Sequence, residues 1–249
     1  MIIYQDTKAV FTDDIASNNF AARIEDAFIK KTGSLPADSR GWANDYTRFS
    51  NVLSQAAVSG DITVAIEYHC SPVGRSRIDV LLAGSDRAHD NALIIELKAW
   101  DTASVSDIDG MVFSPIAGGK IKQHPSLQAR QYKGMILRFN EDIPKHDIRL
   151  HPSAYLFNLH RRSPEPLEDA RYASLLADSR LFLANDVSQF KAYLEELVPR
   201  KAKNDILFLL EHWNRALETD PPLRAFGWTH QPPHLLEDFP YRPLVFSKS

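Results

Sequence analysis

Between Ile62 and Ala99 the spacing of apolar residues changes, and the change restricts the possible folds more than any other feature of this chain. "ITVAIEYH", "RIDVLLAG" and "ALIIELKA" are β-branched or aliphatic runs of strand length, separated by the turn-rich "CSPVGRS" and "SDRAHDN". Such runs read as three successive strands of a meander. On either side the period is helical. "GWANDYTRFSNVLSQAA" puts Trp42, Tyr46, Phe49 and Leu53 on one stripe, which is core. "DDIASNNFAARIEDAFIKKTG" reads as one helix ending at Gly33, where a left-handed cap costs little. "MIIYQ" is a short opening strand.

After the meander comes a loop with Gly118 and Gly119, then "HPSLQARQYKGMILRF", helical with Ser126 as its cap and Leu127 to Phe139 as its body, and then the strand "SAYLFNLH". Helix, three strands, helix, strand is the order of an α/β sandwich. "DARYASLLADS", "RLFLAN" and "DVSQFKAYLEELV" give helix, strand and helix, with Asp186 and Gln189 spaced as a capping box and Phe190, Tyr193, Leu194 and Leu197 on one face. "NDILFLLEHWNRALE" is a further amphipathic helix. The expected organisation is a core over 1–160, a mainly helical extension packed on it over 161–218, and a tail over 219–249 rich in proline and aromatics that lies on the core or on a partner.

The chain has 249 residues and one cysteine, Cys70, so it has no internal disulfide. No apolar run approaches the roughly 18 residues that a membrane span requires. The N-terminus carries Asp6, Asp13 and Asp14 where a secretory leader needs an apolar segment, so a cytoplasmic protein is expected. The formal charge of -3 offers a polyanion no global attraction. Base is concentrated locally instead. No acidic residue falls between Gly110 and Asn140, where Lys120, Lys122, Arg130, Lys133 and Arg138 lie.

In "ALIIELKAW" two opposite charges interrupt an apolar strand. Alternation puts Ala92, Ile94, Glu96 and Lys98 on one face and Leu93, Ile95, Leu97 and Ala99 on the other. Asp79, near the start of the preceding strand, meets Glu96 at one end of the sheet if the loop Gly84 to Asn91 closes an antiparallel hairpin. Two carboxylates at close range repel, and a hard divalent cation such as Mg2+ resolves the repulsion. Lys98, one side-chain step along, is placed to serve a water or a phosphate, so the set reads as a metal-dependent phosphodiesterase site. The plainer alternative is a structural ion pair of Glu96 with Lys98 or an arginine such as Arg77. His146, His151, His160, His212, His230 and His234 show no zinc-ligand spacing.

"RID" followed after a hairpin by "IIELK" resembles the signature of the PD-(D/E)XK nuclease superfamily, with Ile78 where its loosely kept proline would stand. "IEYHCSPVGRSRIDVLLAG", "LIIELKAW" and "HPSLQARQY", in that order, are similar to the N-terminal nuclease domain of bacterial proteins that join it to a Schlafen-like superfamily 1 helicase. "AYLFNLH" and "RLFLANDVSQFKAYLEELV" look like the next part of those proteins, so the likeness spans roughly residues 1 to 215. It implies a restriction-endonuclease-like core, Mg2+ held by Asp79 and Glu96 with Mn2+ able to substitute, and Lys98 at the reacting phosphate. It also implies a glutamine in the helix after the third meander strand. Gln128 and Gln131 compete for that role, and Gln128 is chosen because it lines up with Tyr132, Met135 and Phe139, Tyr132 serving as its support. The likeness places a glutamate in the first meander strand too. Glu67, sharing a face with Ala65 and His69, is an accessory candidate, with a surface strand position as the alternative.

Lys120, Lys122, His124, Arg130 and Lys133 are then the expected phosphate contacts, with DNA favoured over RNA. The expected reaction is attack of a water held by the metal, with inversion, leaving a 5′-phosphate. No G-x-x-x-x-G-K-[ST] occurs, so a helicase would act as a partner in cis or in trans. The setting the likeness suggests is defence against phage or foreign nucleic acid. A nuclease-like subunit that binds nucleic acid or regulates a helicase without cutting is the alternative.

Overall fold

The computed structural model describes residues 1–36, 39–70, 76–115 and 119–211. Strand β1 (Ile2–Thr7) leads into helices α1 (Lys8–Ala16), α2 (Phe20–Thr32) and α3 (Trp42–Gln55). The single helix expected before Gly33 is thus two, broken where Asn18 takes a left-handed φ of 57°. Gly33 caps α2 with φ 87°, as its position predicts.

The meander forms as expected: β2 (Thr63–His69), β3 (Arg77–Ser85) and β4 (Asp90–Lys98) pair antiparallel in sequence order. The β3–β4 turn is tighter than expected, because Ser85 already pairs with Asp90. Next come three short strands that the sequence pattern does not announce, β5 (Ser104–Val105), β6 (Met111–Ser114) and β7 (Lys120–Gln123), which make a separate sheet in the order β5-β6-β7.

Helix α4 (Pro125–Phe139), the short α5 (Asp142–Lys145) and β8 (Arg149–Leu156) come after it, β8 lying parallel to β4. Ser126 is not the cap of α4. His124 is, its ring accepting from the Ser126 amide, and Pro125 occupies the first turn, where a missing N–H costs nothing. Finally α6 (Ala173–Asp178), β9 (Arg180–Leu183) and α7 (Val187–Leu197) complete the named elements. Asp186 makes no side-chain cap on α7; its carboxylate accepts from the Leu183 amide and from Arg161.

The main sheet is mixed and six-stranded, in the order β1-β2-β3-β4-β8-β9, so the segment beyond residue 160 supplies its last strand. Helices cover both faces. Phe11, Phe20, Ile24, Tyr46, Phe49 and Phe190 of α1, α2, α3 and α7 form one core with Val64, Val80 and Leu93 of the sheet. Ala129, Tyr132 and Ile136 of α4 join Ile206, Leu207 and Leu210 on the other face. A fully buried side chain of this size contributes about 1.5–3 kcal/mol. A third, smaller core of Trp100, Val112, Leu156, Leu167 and Tyr172 anchors the small sheet. Residues 206–211 are helical, in agreement with the last helix expected; its remainder and the whole tail over 219–249 lie outside the described residues. No helix among the described residues is long and apolar enough to cross a membrane.

Candidate active site

The two inner charges of β4 lie where alternation puts them. Ala92 and Ile94 belong to the core under α4, whereas Leu93, Ile95 and Leu97 belong to the opposite core. Glu96 and Lys98 therefore share the α4 side of the sheet.

The β3–β4 ladder ends at Val80↔Ile95, and one further step of that register brings Asp79 opposite Glu96. On the other flank, Ile66↔Val80 and Tyr68↔Ile78 pair, but the step between them, Glu67 opposite Asp79, does not. Glu67 has a left-handed φ of 54°, a conformation costing a residue with a Cβ roughly 1–2 kcal/mol. Alternation slips at this row in both strands. Ile66 and Val80 belong to the core under α3, while Tyr68 and Ile78 belong to the core under α4. Regular strands would put residues two apart on one face.

The slip corrects the expectation for Glu67. Ala65 lies in the α4-side core, whereas Glu67 accepts a 2.7 Å hydrogen bond from Tyr46 Oη of α3 and pairs with Arg77 Nη1 at 2.8 Å. The Arg77 guanidinium also stands 5.4 Å from the Phe28 ring centroid. Glu67 is thus a buried, compensated carboxylate on the α3 side. Of the two ion pairs that the plainer alternative offered Glu96, the one with Lys98 forms, and Arg77 pairs with Glu67.

Asp79 occupies the gap where the strands part, and its Oδ2 accepts from the Leu97 amide at 2.8 Å. Its charge raises the pKa of the Tyr46 hydroxyl on one side and of Tyr132 on the other, behind burial as the first cause in both.

Glu96 is 1% exposed. Its Oε1 accepts from Lys98 Nζ, and its Oε2 is buried with no hydrogen-bond partner among the described residues. Burial foremost, then the negative charge of Asp79, pushes the carboxyl up to about 8, against the pull of Lys98. A carboxylate oxygen without a partner in a dry site is costly, and a cation is the partner that would relieve it.

Helix α4 passes over β4 and β8. Gln128 Nε2 donates to Tyr132 Oη at 2.7 Å, joining the two residues singled out on this helix. Tyr132 is buried, and burial first, then the charges of Glu96 and Asp79, raises the pKa of its hydroxyl. Gln131 is half-buried and makes no comparable bond among the described residues.

The basic residues divide. Lys120 and Lys122 are exposed on β7, and Arg130 is half-buried on α4. Lys133 is engaged, its Nζ 2.9 Å from Asp178 Oδ1. His124 is excluded as a phosphate contact. It is fully buried, Nδ1 accepts from the Ser126 amide and Nε2 meets Leu167 O at 3.1 Å, so neither nitrogen is available. Burial holds its pKa down at about 4, and the neutral ring is a structural cap. Tyr46 is the site neighbour that sequence reasoning missed, the helical stripe marking it only as core; Arg77 was expected beside Glu96 and stands against Glu67.

No protein-family description matches the chain, and neither curated proteins nor solved structures give a match.

Proposed function

We propose that the chain is a metal-dependent nuclease of the PD-(D/E)XK type, built on a restriction-endonuclease-like core and acting on nucleic acid, DNA before RNA. The observation that carries the reading is the unpartnered, buried Glu96 Oε2, with Asp79 across the strand gap and Lys98 one side-chain step along. A divalent cation held by Asp79 and Glu96, Mg2+ or Mn2+, would neutralise charge on the scissile phosphate and make a bound water more acidic. The residues fit that group, because an orphaned oxygen and two mutually repelling carboxylates are what a hard cation relieves.

The chain's own residues do the rest. Lys98, 22% exposed on its side chain, is the member of the ion pair that reaches solvent, so its ammonium is the group available to a phosphate oxygen or an attacking water. Asp79 is held in place by the Leu97 amide. Gln128, tied to Tyr132 through its amide nitrogen, keeps its amide oxygen for a water, which in this reading it would orient. Tyr46 and Arg77 satisfy Glu67 and keep a third negative charge from destabilising the row.

A second reading, a nuclease-like subunit that binds nucleic acid or regulates a helicase partner without cutting, is favoured by one observation: the Lys98–Glu96 ion pair closes the site on itself. Incubation with single-stranded, duplex and branched DNA and with RNA, in Mg2+ or Mn2+, separates the two. The nuclease reading expects cleavage that is lost in folded Asp79→Ala and Lys98→Ala variants. Tight binding with no cleavage under any of these conditions supports the subunit and rejects the enzyme.

A further inference from the structure

The small sheet lies between the two halves of the site in the chain. Lys98 ends β4 six residues before β5 begins, and Gln128 lies five residues after β7 ends. Hydrogen bonds and packing fasten it to the body: His124 N to Gly110 O at 2.8 Å, Tyr172 Oη to Met111 O at 2.8 Å, and Val112 within the third core. It is a mounted platform.

Its two faces differ. The register pairs Val112 with Lys122 and Ser114 with Lys120, and pairs Phe113 with Ile121. Directly opposed residues share a face. Val112 and Ser114 are fully buried against the body, and from the same side of edge strand β7 Lys120 and Lys122 extend into solvent. Neither lysine has an ion-pair partner among the described residues. The other face carries Ile121, 47% exposed, opposite Phe113, which is half-buried and belongs to none of the three cores. Asp107 and Asp109 are exposed in the β5–β6 connection, at the end of the sheet where β7 runs into α4. Lys120 and Lys122 therefore draw a polyanion to the β7 edge.

From this arrangement we propose that the β6–β7 ribbon is a binding surface for single-stranded nucleic acid: Lys120 and Lys122 hold the phosphates, and Phe113 with Ile121 receives base faces. A single strand offers both chemistries at once, a charged backbone and bases free to turn onto an apolar platform, whereas a duplex hides its base faces in its stack. The inference rests on the nuclease reading in that it names which strands reach that site.

The test measures binding apart from cleavage. Fluorescence anisotropy of a labelled oligonucleotide is followed with the full chain in EDTA, using single-stranded DNA, single-stranded RNA and the blunt duplex of the same sequence. The single strand is expected to bind more tightly than the duplex. Phe113→Ala is expected to weaken single-strand binding by about fivefold or more, the loss of one stacked base, and to leave duplex binding unchanged, while Phe113→Trp retains it. The double variant Lys120→Glu, Lys122→Glu is expected to weaken both and to lower the slope of log affinity against log salt by about 1.4 for the single strand. Ile121→Ala provides a second probe of the same face where Phe113→Ala does not fold.

Single-strand affinity unchanged in the folded apolar variants, duplex binding as tight as single-strand binding, or a self-association that these variants abolish would each overturn the proposal. Cleavage abolished by Asp79→Ala alongside any of these results leaves the nuclease reading standing. Phe113-dependent binding without cleavage removes the nuclease reading alone.

Discussion

Glu96→Gln tests the electrostatics of the site through stability alone. The Glu96 carboxyl has an ordinary pKa of 4.5 and is pushed up to about 8 in the folded chain, by burial first and by Asp79 second. A carboxyl with a raised pKa keeps its proton longer in the folded chain than in the unfolded one. Stability therefore falls as pH rises from about 4.5 and levels off above about 8. At pH 7 the linkage relation makes the carboxylate cost about 3 kcal/mol at most. The lost ion pair with Lys98 offsets part of the gain, although the amide oxygen still accepts from Nζ. Glu96→Gln is expected to stabilise the metal-free protein at pH 7 by about 1–3 kcal/mol, seen as a melting temperature roughly 3–10 °C higher. At pH 5 the gain should shrink toward zero. Scanning calorimetry or thermal denaturation by circular dichroism from pH 5 to 9 in EDTA reads both. Adding Mg2+ should stabilise the parent by about 2.7 kcal/mol at a hundred times its Kd and leave the variant unmoved. A variant less stable than its parent across the whole range, or stabilised equally by Mg2+, would refute the reasoning.

Tyr46→Phe removes the hydroxyl that donates to buried Glu67 and should cost about 1.5–3 kcal/mol in urea denaturation, with the fold retained. Gly84→Ala puts a Cβ 2.6 Å from Val198 Cβ and 2.9 Å from Arg200 O, so about 1–3 kcal/mol of overpacking cost is expected in the same assay. His124→Ala loses the cap of α4 and the bond to Leu167, and should cost about 2 kcal/mol. Because His124 touches no phosphate in this account, the salt dependence of nucleic-acid binding should not change; a shallower slope, measured by anisotropy, would return it to the binding surface.

The meander was legible because strands with one face in each of two cores carry long β-branched runs, and because Glu96 and Lys98 stand out against theirs. The stripe Trp42, Tyr46, Phe49 and Leu53 is core for the same reason, a period that only one structure satisfies. The slip at Glu67 and Asp79 was not legible. It is a backbone event, a left-handed φ at a glutamate, and nothing in residue type announces it. Its consequence reaches the site: it turns Glu67 toward Tyr46 and leaves Asp79 to bond the Leu97 amide. The small sheet escaped notice because its strands are two to four residues long, too short to display a period. Ser126 reads as a cap and His124 as a surface base, whereas His124 is the cap and both are fully buried. The imidazole accepts from the amide two residues on, that of Ser126, a geometry that preferences by residue type do not capture. Asp186 likewise spends its carboxylate on Leu183 and Arg161 rather than on α7, a choice made by chain segments distant in sequence.

The most direct test of the central claim is the anomalous difference map of a crystal of the full chain soaked in Mn2+, recorded with its Asp79→Ala counterpart. The account predicts a peak bridged by carboxylate oxygens of Asp79 and Glu96, with Lys98 turned away from Glu96 Oε1, and no peak in the variant. Density at some other group of residues, or an undisturbed Lys98–Glu96 ion pair at saturating Mn2+, contradicts it.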